Sequence, residues 1–369
     1  MKKVLNCISI IMFFAVTAMI GVSTVFFQHG KPLKKALEQH GNVRHAAEDY
    51  AVSNFPFKAN WESLCARSAE LTGMRQFRSV YHDKERDMLV DVFSDYDKSR
   101  RDKNVADINA FYKKHKGASM YIMLAPTASG IYRSELPDSA GAIDQQKLID
   151  DIYFDIDEAV NPLDVFSALY SARDSYIYFR TDPYWTQAGA YEAYSAAIGK
   201  MGSAPYTLAN YDMDYSHIYY RGELSAKSGV RRVSEDTITA YRCKYGSYVK
   251  SVKMLRDKQT YSKTSLYNSA GLNSADKYSY YLGASNFKCT RVVTTGKDLP
   301  KLLIIKSDYA NSMIPFLAPH YSEITLVDPG MLEEGEKLED FADPADYDQV
   351  LFLYDVQTFC ETDEFDNLD

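Results

Sequence analysis

The sequence predicts an α/β domain whose core is a mostly parallel sheet covered on both faces. Three observations carry this reading. Strand-like and helix-like stretches alternate along most of the chain. The strand-like runs at 120–125, 301–306, 324–328 and 350–354 are nearly continuously apolar, as strands buried on both faces require. Two strand-like runs pass straight into helical patterns through turns rich in carboxylates and hydroxyls, and the carboxyl edge of such a sheet is where ligands bind. With 369 residues, 46% of them apolar, the chain can bury a sizeable core.

The elements follow in order. Lys2 and Lys3 precede an uncharged run at 4–27, long enough at helical rise to cross a bilayer. Residues 1–30 are therefore read as a signal anchor, giving a single-pass membrane protein with an extracellular body. Cleavage after Val16-Thr17-Ala18 would release the body instead. Residues 31–80 form a helical stalk, broken at 53–58, where Pro56 cannot sit inside a helix without cost, so that Phe55-Pro56-Phe57-Lys58 is either a kink or the N-terminus of a second helix. Residues 81–369 form the α/β domain. It opens with a strand at 88–93 and a helix at 97–117, where Val105, Ile108 and Phe111 share a face and Gly117 is a stop. A strand at 120–125, a loop at 126–130, a helix at 143–160 and a short strand at 163–166 follow.

The run at 176–179 is β-prone and aromatic. Thr181 or Asp182 is then placed to cap a helix starting at Pro183. Ala190, Tyr194, Ala197 and Met201 keep helical spacing, with Gly189 small enough for close packing. From about 203 to 299 the chain turns rich in Tyr, Ser and Lys with short alternating runs, which predicts a β-rich insertion over the carboxyl edge without a core of its own. The α/β pattern then returns, with a helix at 309–320 between the strands at 301–306 and 324–328. The acidic stretch 332–348 reads as a solvated face.

Composition narrows function. A net charge of −8 and the lack of a basic stripe exclude nucleic acid as the natural partner. Thirty tyrosines fit sheet faces and core edges, or platforms for sugar rings. Cys7 lies in the apolar run, and Cys65, Cys243, Cys289 and Cys360 are too far apart for a metal or redox pair. Disulfides remain open, Cys243 with Cys289 among them. With no nucleotide loop, metal cluster or prosthetic-group motif, no cofactor and no metal are expected.

Two turns hold candidate chemistry: Thr181-Asp182-Pro183-Tyr184-Trp185-Thr186 and Lys306-Ser307-Asp308-Tyr309-Ala310-Asn311. Together with Phe55-Pro56-Phe57-Lys58, Pro126-Thr127-Ala128, Glu135-Leu136-Pro137, Gly222-Glu223-Leu224-Ser225, Pro315-Phe316-Leu317-Ala318 and His320-Tyr321, they make the chain resemble the DHHW family of exported Gram-positive proteins. That family is a branch of the SGNH-hydrolase-like group that includes the alginate O-acetylation proteins. The resemblance implies a three-layer SGNH-hydrolase-like fold. It also implies partners in cell-surface polysaccharide or envelope proteins, and ligand contacts at Trp185, Gly222 and Ser225.

The same resemblance exposes departures. The family signature Thr-Asp-His-His-Trp-Thr keeps its aspartate here as Asp182, but Pro183 and Tyr184 replace the histidines. The nucleophile turn, Lys-Asp-Ser-Tyr-Ala-Asn in the family, has its Asp and Ser exchanged, as Ser307-Asp308. A serine needs a base that works near neutral pH. Tyr184, with an ordinary pKa of about 10, is a donor. Asp182, Tyr184, Ser307 and Asp308 thus hold the triad-equivalent positions without a working triad. The expected function is a non-catalytic glycan- or partner-binding role in envelope or exopolysaccharide biology. The alternative is an active O-acetyltransferase or acetylesterase using Ser307. His217 and His320 are the remaining base candidates near these blocks, read respectively as a surface residue and as a cation favoured at a helix C-terminus.

Overall fold

In the computed structural model, residues 43–283 and 287–368 are described, with scattered positions between 11 and 37. Among the described residues no helix is long and apolar enough to cross a membrane. The expected span at 4–27 lies largely outside them. The chain divides into two compact units, one formed by residues 1–74 with 228–231 and the other by 75–227 with 232–369.

The first unit contains α1 (Val43–Ser53) and α2 (Lys58–Leu71). Phe57, just before α2, takes a left-handed backbone with φ 56°, so the Phe-Pro-Phe segment is the entry to a second helix and not a kink within one. On the far side of α2, segment 228–231 packs so closely that a side chain at Gly229 would meet the Glu62 carbonyl at 2.7 Å.

The second unit opens with an antiparallel meander of β1 (Gln76–Phe77), β2 (Val80–Asp83) and β3 (Met88–Asp91). The main sheet holds eight strands. Five run parallel in the order β5 (Asn161–Pro162), β4 (Ser119–Ala125), β13 (Gln349–Asp355), β11 (Lys301–Lys306), β12 (Glu323–Val327). Then β10 (Cys289–Thr294), β8 (Val249–Arg256) and β9 (Gln259–Lys263) continue it antiparallel. The inserted region therefore does more than cover the carboxyl edge: three of its strands extend the sheet. Its other two, β6 (Tyr211–Tyr220) and β7 (Asp236–Cys243), pair as a separate ribbon. The ribbon shares a small aromatic core of Tyr220, Ile238, Tyr278 and Tyr281 with Phe179.

Side chains of the central strands alternate between two large cores, which makes the fold three-layered. Tyr121, Met123, Leu302, Ile304, Leu351 and Leu353 face α6 (Phe166–Ser171), α7 (Gln187–Ala197) and α9 (Ile314–Leu317). Met120, Ile122, Leu303, Ile305, Val350 and Phe352 face α3 (Lys98–Lys114), α5 (Gln145–Asp155) and α10 (Val356–Glu361). Asp97 caps α3 by accepting from Ser99 and Arg100 N–H. Two short helices, α4 (Ala128–Ile131) and α8 (Glu223–Ser228), sit over the carboxyl edge, so the segment expected as loop at 126–130 is partly helical.

Several expectations are corrected. The helix expected from 309 to 320 is a string of short turns around α9, because Pro315 and Pro319 interrupt it. The described cysteines, Cys65, Cys243, Cys289 and Cys360, are all free. Cys243 ends the ribbon and donates to Tyr245 O at 3.0 Å, whereas Cys289 opens a strand of the main sheet. His320 is no dipole-stabilised cation: it is buried against Tyr194, whose hydroxyl lies 2.7 Å from Nε2, and burial holds its pKa down at about 4. The side chain of His217 lies outside the described residues.

Candidate functional site

The Asp182 turn is a closed loop and not a strand leading into a helix. Thr186 N–H donates to Ile177 O at 2.9 Å and Phe179 N–H to Tyr184 O at 3.1 Å, so the chain doubles back with Arg180–Pro183 at its tip. Only the Tyr178–Trp185 bridge survives of the expected strand. The helix begins at Gln187 with Thr186 as its cap, so neither Thr181 nor Asp182 caps it and Pro183 does not open it. Gly189 is required where α7 presses on this loop: a Cβ there would stand 2.3 Å from Ile177 O.

Two buried carboxylates fix the loop tip. Asp236, at the start of β7, accepts from Arg180 N–H at 2.7 Å and Thr181 N–H at 2.8 Å, and also from the Tyr176 and Thr181 hydroxyls. The Thr181 hydroxyl in turn accepts from Gly222 N–H at 2.8 Å. Asp182 accepts from Glu223 N–H at 2.9 Å, and so caps α8. Burial pushes the Asp182 carboxyl up to about 7, the Glu223 bond opposing and the Asp236 carboxylate reinforcing the rise. Burial raises Asp236 as well.

Gly222 touches Asp182 directly, because a Cβ built there would stand 2.3 Å from the carboxyl carbon. Gly222→Ala is expected to lower stability by about 1–3 kcal/mol, as overpacking of a filled site does. Combined with Asp182→Ala the cost should shrink, since the clash partner is gone. Additive losses in chemical denaturation of the two single variants and the double variant would contradict this account.

At the second turn the exchange of Ser and Asp sends the two side chains apart, as alternation along a strand end requires. Asp308 faces the first loop: its carboxylate lies 3.5 Å from the Tyr184 hydroxyl, 3.3 Å from Lys306 Nζ and 3.2 Å from Asn311 Nδ2. Lys306 is buried and also bonds Asp328 at 2.8 Å. Ser307 points the other way. Its buried hydroxyl donates to Asp355 at 3.3 Å, where Asp355 caps α10 through Thr358 N–H. No histidine among the described residues hydrogen-bonds Ser307. The structure thus brings Tyr184 and Asp308 together, with Asp182 nearby, while Ser307 is engaged by Asp355.

A pocket of about 200 Å³ opens at this edge. Thr127 and Ala128 of the β4 turn, Asp182, Pro183 and Tyr184 of the loop, and Tyr309 form part of its wall. Asp91, Glu223, Asp355 and Glu361 add carboxyls, and Lys227 pairs with Asp91 at 2.9 Å. Burial raises the Asp355 and Tyr184 pKa values, and Asp308 raises that of Tyr184 further, so the phenol stays a donor. Among the described residues no cluster of three or more His, Cys, Asp or Glu is arranged to hold a metal.

Three residues expected at a ligand behave differently. Trp185 is fully buried, with its Nε1 donating to Tyr309 O at 2.9 Å. Ser225 is buried. Gly222 is half-buried and serves the Asp182 carboxyl. Sequence reasoning missed Asp236 and Asp355. Asp355 had a legible signal, a carboxylate closing an apolar strand before a helix, whereas Asp236 had none.

No curated protein matches the chain. A family model described as "DHHW protein" matches residues 64–327. Among solved structures, a DHHW family protein from Eubacterium siraeum is 21% identical with a TM-score of 0.67, the match covering 78% of this chain and 94% of that one. Bacillus cereus PatB1, solved with a sulfonyl adduct, is 16% identical with a TM-score of 0.64, over 79% of this chain and 100% of that one. With the family model spanning most of the chain, this protein belongs to the DHHW family.

Proposed function

We propose that the protein is an exported, membrane-tethered member of its family that binds envelope polysaccharide in the carboxyl-edge pocket without turning it over. The supporting observation is the pairing of Tyr184 with Asp308 where the family signature implies a histidine and a serine. A phenol held protonated cannot take a proton from a hydroxyl, and a carboxylate offers no hydroxyl to activate. The electrostatics support the same reading. Acyl transfer needs donors aimed at a developing oxyanion, whereas carboxyls dominate this pocket's ionisable lining. Carboxylates and tyrosines instead suit the hydroxyls and ring faces of a sugar.

The test is an acetyl-ester hydrolysis assay on the purified protein beside Ser307→Ala, run with a titration of acetylated and deacetylated cell-wall glycans followed by calorimetry. Equal, background-level hydrolysis by both proteins with saturable glycan binding is the expected result. Turnover abolished by Ser307→Ala would replace this reading with an acetyl-transferring or acetyl-hydrolysing enzyme.

A further inference from the structure

Within the first unit, α2 carries an exposed apolar stripe. Phe57 at its entry, Trp61, Leu64 and Leu71 are 76%, 51%, 54% and 80% exposed. Trp61, Leu64 and Leu71 recur at intervals of three and seven, so they share one helix face, with Phe57 at the entry to the helix. Ala66, the buried residue of α2, lies on the opposite face. The charged residues Lys58, Glu62, Arg67 and Glu70 fall outside the stripe. A soluble helix does not ordinarily leave a tryptophan, a phenylalanine and two leucines in water along one line.

What lies upstream identifies the occupant. The uncharged run at 4–27 ends sixteen residues before α1, and the spacer between them holds Lys31, Lys34 and Lys35 with Glu38 as its only acid. Lysines just beyond an apolar span suit anionic headgroups. An exposed line of Trp, Phe and Leu on a neighbouring helix suits the boundary between headgroups and acyl chains. We infer that α2 lies in the bilayer interface, with Phe57, Trp61, Leu64 and Leu71 inserted among anionic phospholipids. This inference rests on the membrane tether proposed above, and adds to it a second, peripheral contact made by the folded unit itself.

The chain has two tryptophans, and they make the test direct. Trp185 is fully buried in the second unit, and Trp61 stands on the stripe. The full chain is reconstituted into phosphatidylglycerol–phosphatidylcholine vesicles carrying bromines either near the headgroup or near the chain end. Trp61 emission is expected to shift to the blue and to be quenched, more by shallow bromines than by deep ones. Trp61→Phe should leave only the unquenched Trp185 signal. Leu64→Glu with Leu71→Glu, at exposed positions, should preserve folding and abolish the quenching.

If the chain co-floats with vesicles but Trp61 stays open to aqueous iodide and unquenched by bromolipid, interfacial docking is wrong. If in that state Cys65, which neighbours Leu64 on the exposed side, cross-links between copies, the stripe is a self-association seam instead. If the chain does not float with vesicles at all, the tether itself fails, and docking fails with it.

Discussion

Asp236→Ala is expected to destabilise the protein by about 3–5 kcal/mol, the largest loss from any single substitution at the site. The carboxylate is buried and collects two backbone N–H groups and two hydroxyls, all from residues 176–181. Removing it leaves those donors without a partner, the Thr181 pair buried and the Tyr176 and Arg180 donors part-buried, and each buried orphan costs on the order of 1–3 kcal/mol before the structure relaxes. The loop would lose its anchor on the ribbon, and Thr181 would lose one side of its bridge to Gly222. Asp236→Asn should recover only part of the loss, because an amide nitrogen then faces hydrogen-bond donors. Urea denaturation of the three proteins checks this, and a loss below about 1 kcal/mol for the alanine variant would show that the loop is held by its aromatic packing alone.

Asp182→Asn should change how stability depends on pH. The folded carboxyl has its pKa pushed up to about 7, against about 4 for the unfolded chain. The folded state therefore holds this proton more tightly. The resulting stability is fully present below about pH 4 and is lost as pH rises through about 7. That difference corresponds to about 4 kcal/mol. Asparagine has no proton to lose and can still accept from Glu223 N–H, so the variant should match the wild type near pH 4 and exceed it above pH 7 by about 2–4 kcal/mol. The measurement is the difference in unfolding free energy between the two proteins across that range. A difference that does not vary with pH would mean that Asp182 is charged throughout and that water reaches it.

The parts of the fold that were legible in sequence are those set by local apolar pattern. The strands at 119–125, 301–306 and 349–355 announce themselves because both of their faces are buried, and Asp97 announces the helix it caps. The Asp182 turn departs from the expected helix start for a physical reason. Asp-Pro before a helical pattern is a sound start signal, yet the bond from Thr186 to Ile177 closes the loop first, and Thr186 caps the helix three residues beyond Pro183. Trp185 illustrates a second limit. Its residue type fits a sugar platform as well as a core, and only its burial decides between them. Asp236 lies more than fifty residues from the groups it holds, and no local pattern encodes such a contact. The separation of Ser307 from Asp308 was foreseeable, because neighbouring residues at a strand end point to opposite sides.

That alternation also constrains what can be substituted at the end of β11. The two positions at the end of β11 lead to different environments: one side chain meets Asp355, and the other meets Tyr184 and Lys306. Exchanging the two residues needs both positions to change. Asp308→Ser alone would leave buried Lys306 facing Asp328 without its second carboxylate. Ser307→Asp alone would press a second acid against the buried Asp355, where like charges repel strongly. Each single change is therefore expected to lower stability, and the two made together are not expected to be additive.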